Sequence, residues 1–270
     1  KEGETMIRND LSNADYHASD GISSSDVKTV LLESVWHWHH KVHKSSPAMD
    51  IGTAVHDIRL EGGKNIIRGP ETRRGNAWKE AVTEADFTKK LLLTEGDYDK
   101  SQAIAATLLE DDVCKKTLEA PNAKIEHSIF VECPETGLKL RCRPDLYDPD
   151  KKVMADIKCT LDPSPQGFVR QCYKYRYDAQ SFFYTYVAEL AGWEVTHFAF
   201  LAAGNTEPYI SHMHIMSMDA MQLAKSDVMR ALKEIAEAKQ TNTYKTGWDR
   251  FTMLNPPKWM ADNLDFDKGE

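Results

Sequence analysis

The chemistry of this chain centres on three polar residues. Asp156 and Lys158 flank Ile157, and Asp145 precedes them at the end of the run Arg141-Cys142-Arg143-Pro144-Asp145. On a strand, residues i and i+2 share a face, about 6–7 Å apart. Asp156 and Lys158 therefore point one way while Ile157 turns into the core. Asp145 lies where the preceding strand ends, so a turn can bring it beside Asp156. Two carboxylates and a main-chain carbonyl suit Mg²⁺, a hard cation that takes oxygen ligands. A nearby lysine can orient or deprotonate a water, or neutralise a phosphorane-like transition state. The reaction class would be metal-assisted phosphodiester hydrolysis. On spacing alone, the same residues also read as a turn aspartate and an exposed same-face ion pair.

Two further constellations bear on that choice. Gly52 and His56 are four apart on a helix and share a face. A glycine there lets another backbone approach closely, and an imidazole ligand admits Mn²⁺ as well as Mg²⁺. Taken alone, His56 reads as a capped core histidine. Gln180 and Tyr184 are also four apart, and both can hydrogen-bond phosphate or water. Before them, Arg170, Lys174 and Arg176 interleave with Tyr173, Tyr175 and Tyr177, a mixture that fits nucleic-acid contact. Phe182 and Phe183 fit the core. Arg73 and Arg74 lie in a loop and read either as DNA contacts or as a solvated charge pair.

The elements that must position these residues follow from turn and capping signals. Ser23, Ser24 and Ser25 with Asp26 start a helix that runs to about Ser34. Pro47 opens a second, over 47–61, closed by Gly62-Gly63. Residues 63–75 read as a loop, 79–93 and 98–118 as helices, and 124–132 and 138–143 as strands of a hairpin around Pro134–Gly137. A third strand follows over 152–158 after the Asp148-Pro149-Asp150 turn. Helices near 165–173 and 177–191, strands at 195–203 and 209–216, and a helix over 219–240 complete the pattern. This order predicts an α/β fold: a mixed central sheet flanked by helices, with an N-terminal helical part. Residues 1–21 read as a lead-in held by Tyr16 and His17, residues 22–260 as one domain, and 261–270 as an acidic tail.

The net charge is −8, from 34 basic and 42 acidic residues. That balance argues against a sequence-independent DNA coat. It is unevenly spread: residues 1–20 and 261–270 each carry −3, while 64–90 is net positive. The expectation is an acidic exterior with basic character confined to a cleft or channel. No apolar run reaches the length of a membrane span, and the polar start lacks a signal-peptide pattern. The five cysteines show no CxxC spacing. A zinc ribbon is thus disfavoured, and free thiols fit a reducing cytoplasm. The cluster His37, His39, His40 and His43 fits packing beside Trp36 and Trp38, or the lining of a DNA channel, better than a metal site. His212 and His214 alternate on a strand and read as surface or inter-subunit groups.

Taken together, His56, Asp145, Asp156-Ile157-Lys158 and Gln180-xxx-Tyr184 resemble the PD-(D/E)xK nuclease superfamily, with its restriction-endonuclease-like core, and within it the RecB-type branch. Tyr16-His17, Ile22–Ser25, Trp36–His40, Gly52–Glu61 and Pro256-Pro257-Lys258-Trp259 extend the resemblance to RecE-type exodeoxyribonuclease VIII domains and their phage relatives. The resemblance implies that His56, Asp145, Asp156 and the Ile157 carbonyl hold Mg²⁺, with Mn²⁺ able to substitute. Lys158 would be the catalytic lysine, with Gln180 and Tyr184 positioning the scissile strand. Ser25 falls where λ-type exonucleases hold phosphate, and Arg73, Arg74, Arg143, Arg170, Lys174 and Arg176 are further DNA-contact candidates. It also implies 5′-to-3′ degradation of linear double-stranded DNA by a homo-oligomeric ring, a trimer or tetramer, leaving 3′ single strands for an annealing protein. The alternatives are a structure-selective endonuclease or nickase on the same core, and a non-catalytic DNA-end-binding module. Asp156 stands where many relatives carry glutamate, one methylene longer.

Overall fold

The computed structural model describes residues 5–42, 46–248 and 251–257. His43, Lys258, Trp259 and the acidic segment 261–270 lie outside them. In chain order the elements are β1 (Met6–Arg8), α1 (Asn13–Ala18), α2 (Ser24–Leu32), α3 (Val35–His39), α4 (Pro47–His56), β2 (Ile66–Arg68), α5 (Gly75–Thr88) and β3 (Leu91–Leu93). There follow α6 (Glu95–Glu110), α7 (Asp112–Leu118), β4 (Lys124–Ile125), β5 (Ser128–Glu132), β6 (Lys139–Cys142), β7 (Leu146–Asp148) and β8 (Val153–Thr160). The last are α8 (Pro165–Lys174), α9 (Tyr177–Leu190), β9 (His197–Gly204), β10 (Ser211–Ile215) and α10 (Met218–Thr241).

The central sheet has the order β10-β9-β8-β7-β4 and is mixed, because β8 and β9 run parallel while the other pairs are antiparallel. A parallel pair needs a long crossover, and α8 and α9 supply it. Residues on β8 and β9 alternate between two apolar layers. Met154, Phe198 and Phe200 pack with buried residues of α2, α9 and α10. Ala155, Ile157, Ala199 and Leu201 pack with those of α4 and α6. The α10 stripe Ala224, Val228, Ala231, Leu232 and Ile235 is fully buried, as its helical spacing requires. The hairpin β5–β6 joins β1 in a second sheet.

The observed order agrees with the expected mixed sheet between helical layers. Several boundaries differ, each for a local reason. Residues 5–21 are woven into the fold rather than leading up to it. β1 pairs with β5, and Tyr16 is buried under the Arg141 and Arg143 guanidinium groups, each 5.0 Å from its ring. The helix expected over 79–93 begins at Gly75 and ends where Lys89 takes a left-handed conformation, φ 54°. Leu91–Leu93 then pairs in parallel with Ile66–Arg68, inside the stretch read as loop. The helix expected over 98–118 breaks at Asp111, whose carboxylate accepts the Val113 and Cys114 N–H groups and caps α7. The strand expected over 124–132 is split at Glu126, φ 49°, so β4 and β5 enter different sheets. Among the described residues, no helix is long and apolar enough to cross a membrane.

Candidate active site

The site forms where β7 stops pairing with β8. Leu146 is opposite Ala155, and the next step brings Asp145 level with Asp156. Beyond it, Ile157 still needs partners for its N–H and C=O, since buried backbone groups are seldom left unpaired. Asp145 Oδ2 accepts the Ile157 N–H at 2.6 Å. His56, from α4, reaches the Ile157 carbonyl through Nε2 at 2.9 Å and Asp145 Oδ2 through Nδ1 at 3.2 Å. Two side chains thus replace a strand.

Asp156 projects to the opposite helical layer. Gln180 on α9, itself buried, donates through Nε2 to Asp156 Oδ1 at 2.7 Å. Asp156 Oδ2 meets the Lys158 ammonium, yet it is buried without a hydrogen bond of its own. Lys158 lies 5.0 Å from the centroid of the Tyr177 ring and 6.0 Å from that of Phe200. Arg176, in a left-handed conformation just before α9, is tied to Asp178 and Asp227, and Tyr177 follows it. Tyr184, one turn beyond Gln180, is half-buried with its phenol edge-on to Phe198.

Burial sets these protonation states against one another. It pushes Asp156 up, and the Asp145 charge adds to the push despite Lys158. For Asp145 burial works upward as well, but His56, Lys158 and the Ile157 N–H outweigh it and hold the carboxyl low. Burial would lower His56, and Asp145 overrides it, raising the imidazole to about 9. Lys158 is likewise raised, with Asp156 and Tyr177 overcoming its burial. Two acids pushed apart beside a firmly charged lysine are characteristic of a functional site.

The donor set suits a hard divalent cation. Asp145, Asp156 and the Ile157 carbonyl offer oxygens, His56 offers a nitrogen, and Lys158 is the one cation that meets Asp156 Oδ2 among the described residues. Among the described residues, no three acidic, histidine or cysteine side chains already stand as a closed cage. The His56 imidazolium instead bridges Asp145 and the Ile157 carbonyl, supplying positive charge between them. To act as a ligand it must lose a proton and turn from one of these contacts.

The structure brings His56, Asp145, Asp156, Ile157, Lys158, Gln180 and Tyr184 together. It does not bring the remaining candidates to them. Ser25 is exposed in the first turn of α2. Arg143 is buried, donating to Ser128 and the Leu11 carbonyl with Glu126 nearby, so its guanidinium organises the fold. Arg176 is taken up by its two aspartates. Arg73 pairs with Asp97 at 3.3 Å, Arg170 stands 3.8 Å from Asp162, and Arg74 and Lys174 are exposed. Gly52 faces open space, with nothing within 4 Å of where a Cβ would lie. The expected close approach at that glycine is absent because His56 itself spans the gap to β8. His39 stacks on Tyr244 at 3.6 Å and His40 on Trp36 at 4.3 Å, so the α3 histidines pack against aromatics. His214 is half-buried against Phe168, bonded to the Pro163 carbonyl, rather than a surface group.

One cation at the site escaped the sequence reading. Lys28 on α2 donates from Nζ to Gln180 Oε1 at 3.3 Å and lies 5.5 Å from the centroid of the Tyr177 ring. Burial, then the Lys158 charge, pull it down to about 7. Its signal was a lysine between the buried Val27 and Val30, on the flank of the apolar stripe, three residues after Ser25. With Lys28, Lys158 and His56 set against Asp145 and Asp156, the cleft is not uniformly negative, but the basic residues Arg73, Arg74, Lys79, Lys89 and Lys90 of the stretch 64–90 are exposed, so basic character is not confined to the cleft.

A mixed sheet whose central strand presents an aspartate and a lysine two residues apart, with a second aspartate at the neighbouring strand, defines a domain of the PD-(D/E)xK nuclease type. Residues 29–246 match the family described as PDDEXK-like domain of unknown function (DUF3799), and the chain belongs to that family. No curated protein matches the sequence. A solved structure of a "putative exonuclease" from Eubacterium rectale is 15% identical and superposes with a TM-score of 0.62, covering 94% of this chain and 98% of that one. A phage-related exonuclease from Haemophilus somnus 129PT is 13% identical, with a TM-score of 0.35 over 84% of this chain and 99% of that one. The first of these likenesses shows the shared fold. By family and by fold the chain is therefore a PDDEXK-like domain, of a class whose nucleases typically use divalent metals.

Proposed function

We propose that this protein is a Mg²⁺-dependent exodeoxyribonuclease that hydrolyses phosphodiesters from the ends of linear double-stranded DNA. The observation that carries this reading is Asp145 at the end of β7, bonded to the Ile157 N–H, next to the buried Asp156–Lys158 pair on β8. Asp145, Asp156, the Ile157 carbonyl and His56 would hold the ion, with Mn²⁺ able to replace it. The bound cation would polarise the phosphate and lower the pKa of a water. Lys158, kept protonated by Asp156, is set to stabilise negative charge on the phosphoryl oxygens. Gln180 fixes the rotamer of Asp156 through its amide. Tyr184, one turn along α9, would position the scissile strand, as the family resemblance implies.

By resemblance the direction is 5′-to-3′, leaving 3′ single strands for a recombination or annealing protein. The proposed assembly is a homo-oligomeric ring of three or four copies, acting in the cytoplasm. A time course on 5′- and 3′-labelled linear duplex, with and without Mg²⁺, tests activity, polarity and metal need together. Loss of the 5′ label first, only with metal, is the expected result. Cleavage of a covalently closed circle would instead identify an endonuclease or nickase. Intact DNA at high protein, with tight binding to ends, would identify a non-catalytic end-binding module.

A further inference from the structure

Other sheltered cations of the fold are neutralised by the protein itself. Arg143 and Arg176 end on carbonyls and carboxylates, and Lys158 ends on Asp156. Lys28 differs. Among the described residues no carboxylate pairs with it. Its Nζ makes one long hydrogen bond, 3.3 Å to Gln180 Oε1, and leans on the Tyr177 ring. That same ring carries Lys158, so two ammonium groups share one tyrosine.

Like charges this close repel, and burial removes the water that would screen them. Such an arrangement is relieved by an anion that both ammonium groups can reach. An ammonium has three N–H donors, and the contacts described use one of them on Lys28. Gln180 also fixes the place of that ammonium. Its amide nitrogen donates to Asp156 and its oxygen accepts from Lys28, so Lys28 is held two hydrogen bonds from the carboxylate. His56 approaches the same strand from the α4 layer, and Lys28 approaches from the α2–α9 layer.

The geometry points to Lys28 as a second phosphate-binding group of this site, holding a non-bridging oxygen of the strand being cut from the side opposite His56. This assignment rests on the nuclease reading above. It is tested with Lys28→Met, Lys28→Gln and Lys28→Arg in the full chain, using linear duplex, Mg²⁺ and a series of KCl concentrations. Melting curves establish which variants are folded, and Lys28→Gln keeps a polar end should Lys28→Met fail to fold. A lost lysine–phosphate contact weakens binding uniformly and reduces the salt slope by about one. KM in Lys28→Met and Lys28→Gln is accordingly expected to rise about tenfold, with the slope of log KM against log[KCl] lower by about one. Lys28→Arg should restore both. A folded Met or Gln variant with unchanged KM and slope overturns the assignment. So does an arginine variant as impaired as methionine, because packing rather than charge would then be at issue. If the unaltered protein leaves linear duplex intact with Mg²⁺ or Mn²⁺, the nuclease reading itself fails and takes this assignment with it.

Discussion

On the flank built from α6 and the segment before α5, Arg68 meets Glu95 and Asp99, and Arg73 meets Asp97, with every side chain at least 28% exposed. At the end of β7, Asp156, Asp145 and Lys158 are only 3%, 11% and 16% exposed, with His56 beside them. The two regions hold similar charges at similar distances under opposite physics. Exposed pairs are solvated whether or not they touch, so each contributes little. Buried charges pay a desolvation penalty that attraction only partly offsets, and a fold retains them where function uses them. Carboxylate and ammonium on the surface decorate this protein; in the cleft they strain it toward binding an ion and an anion.

Substitutions can break that contrast. The largest effect is expected from Lys158→Ala: initial rates on labelled linear duplex should fall about a thousandfold. Its melting temperature without metal should move little, because Asp156, already raised by burial, can take up a proton. Asp145→Asn should instead cost stability, since it strips a buried imidazolium of its counter-charge, about 3 kcal/mol. At roughly 2–4 °C per kcal/mol for a chain of this size, calorimetry would register the drop clearly. This pair also has a pH signature. His56 is raised from 6.5 to about 9, so the stability it contributes is complete below pH 6.5 and fades as pH rises through 9. Lys28, lowered to about 7, gains stability over the same range, so the signature is a difference: the melting-temperature advantage of the metal-free protein over Asp145→Asn should shrink as pH rises from 6.5 through 9.

Glu126 sharpens the comparison from the other side. Burial, then the Asp145 charge, raise it from 4.5 to about 7, so the folded state favours its neutral form. Stability is lost as pH rises from 4.5 to 7, and the cost is complete above 7. Glu126→Gln should therefore stabilise the metal-free protein by about 1–2 kcal/mol at pH 8 and leave it unchanged at pH 4. Arg68→Ala should have the smallest effect, a barely detectable shift of the chemical-denaturation midpoint that vanishes at high salt. A shift as large as that of Asp145→Asn would mean that the exposed pairs are not the inert set described.

The sequence disclosed the strand carrying Asp156 and Lys158 because period-two alternation and a hairpin turn are local signals. It disclosed α9 because Gln180 and Tyr184 repeat at the helical period. Leu91–Leu93 was hidden because three apolar residues carry no period of their own, and their partner Ile66–Arg68 lies a helix away. The breaks at Asp111 and Glu126 were hidden because an apolar period continues through each of them. Lys28 was hidden for a subtler reason. On an amphipathic helix a lysine flanking buried valines reads as solvated, and only α9 packing against α2 reveals that it faces Gln180.

Gln180 joins Lys28 and Asp156 across sequence separations of 152 and 24 residues, and His56 reaches Ile157 across 101. The site therefore exists only after α2, α4, β8 and α9 have all docked. Contacts this distant in sequence are slow to form, because chain closure precedes their reward. During refolding, cleavage of DNA should appear later than far-ultraviolet dichroism. The delay would time the docking of the helical layers onto a sheet that already carries the full Asp-Ile-Lys motif and cannot yet use it.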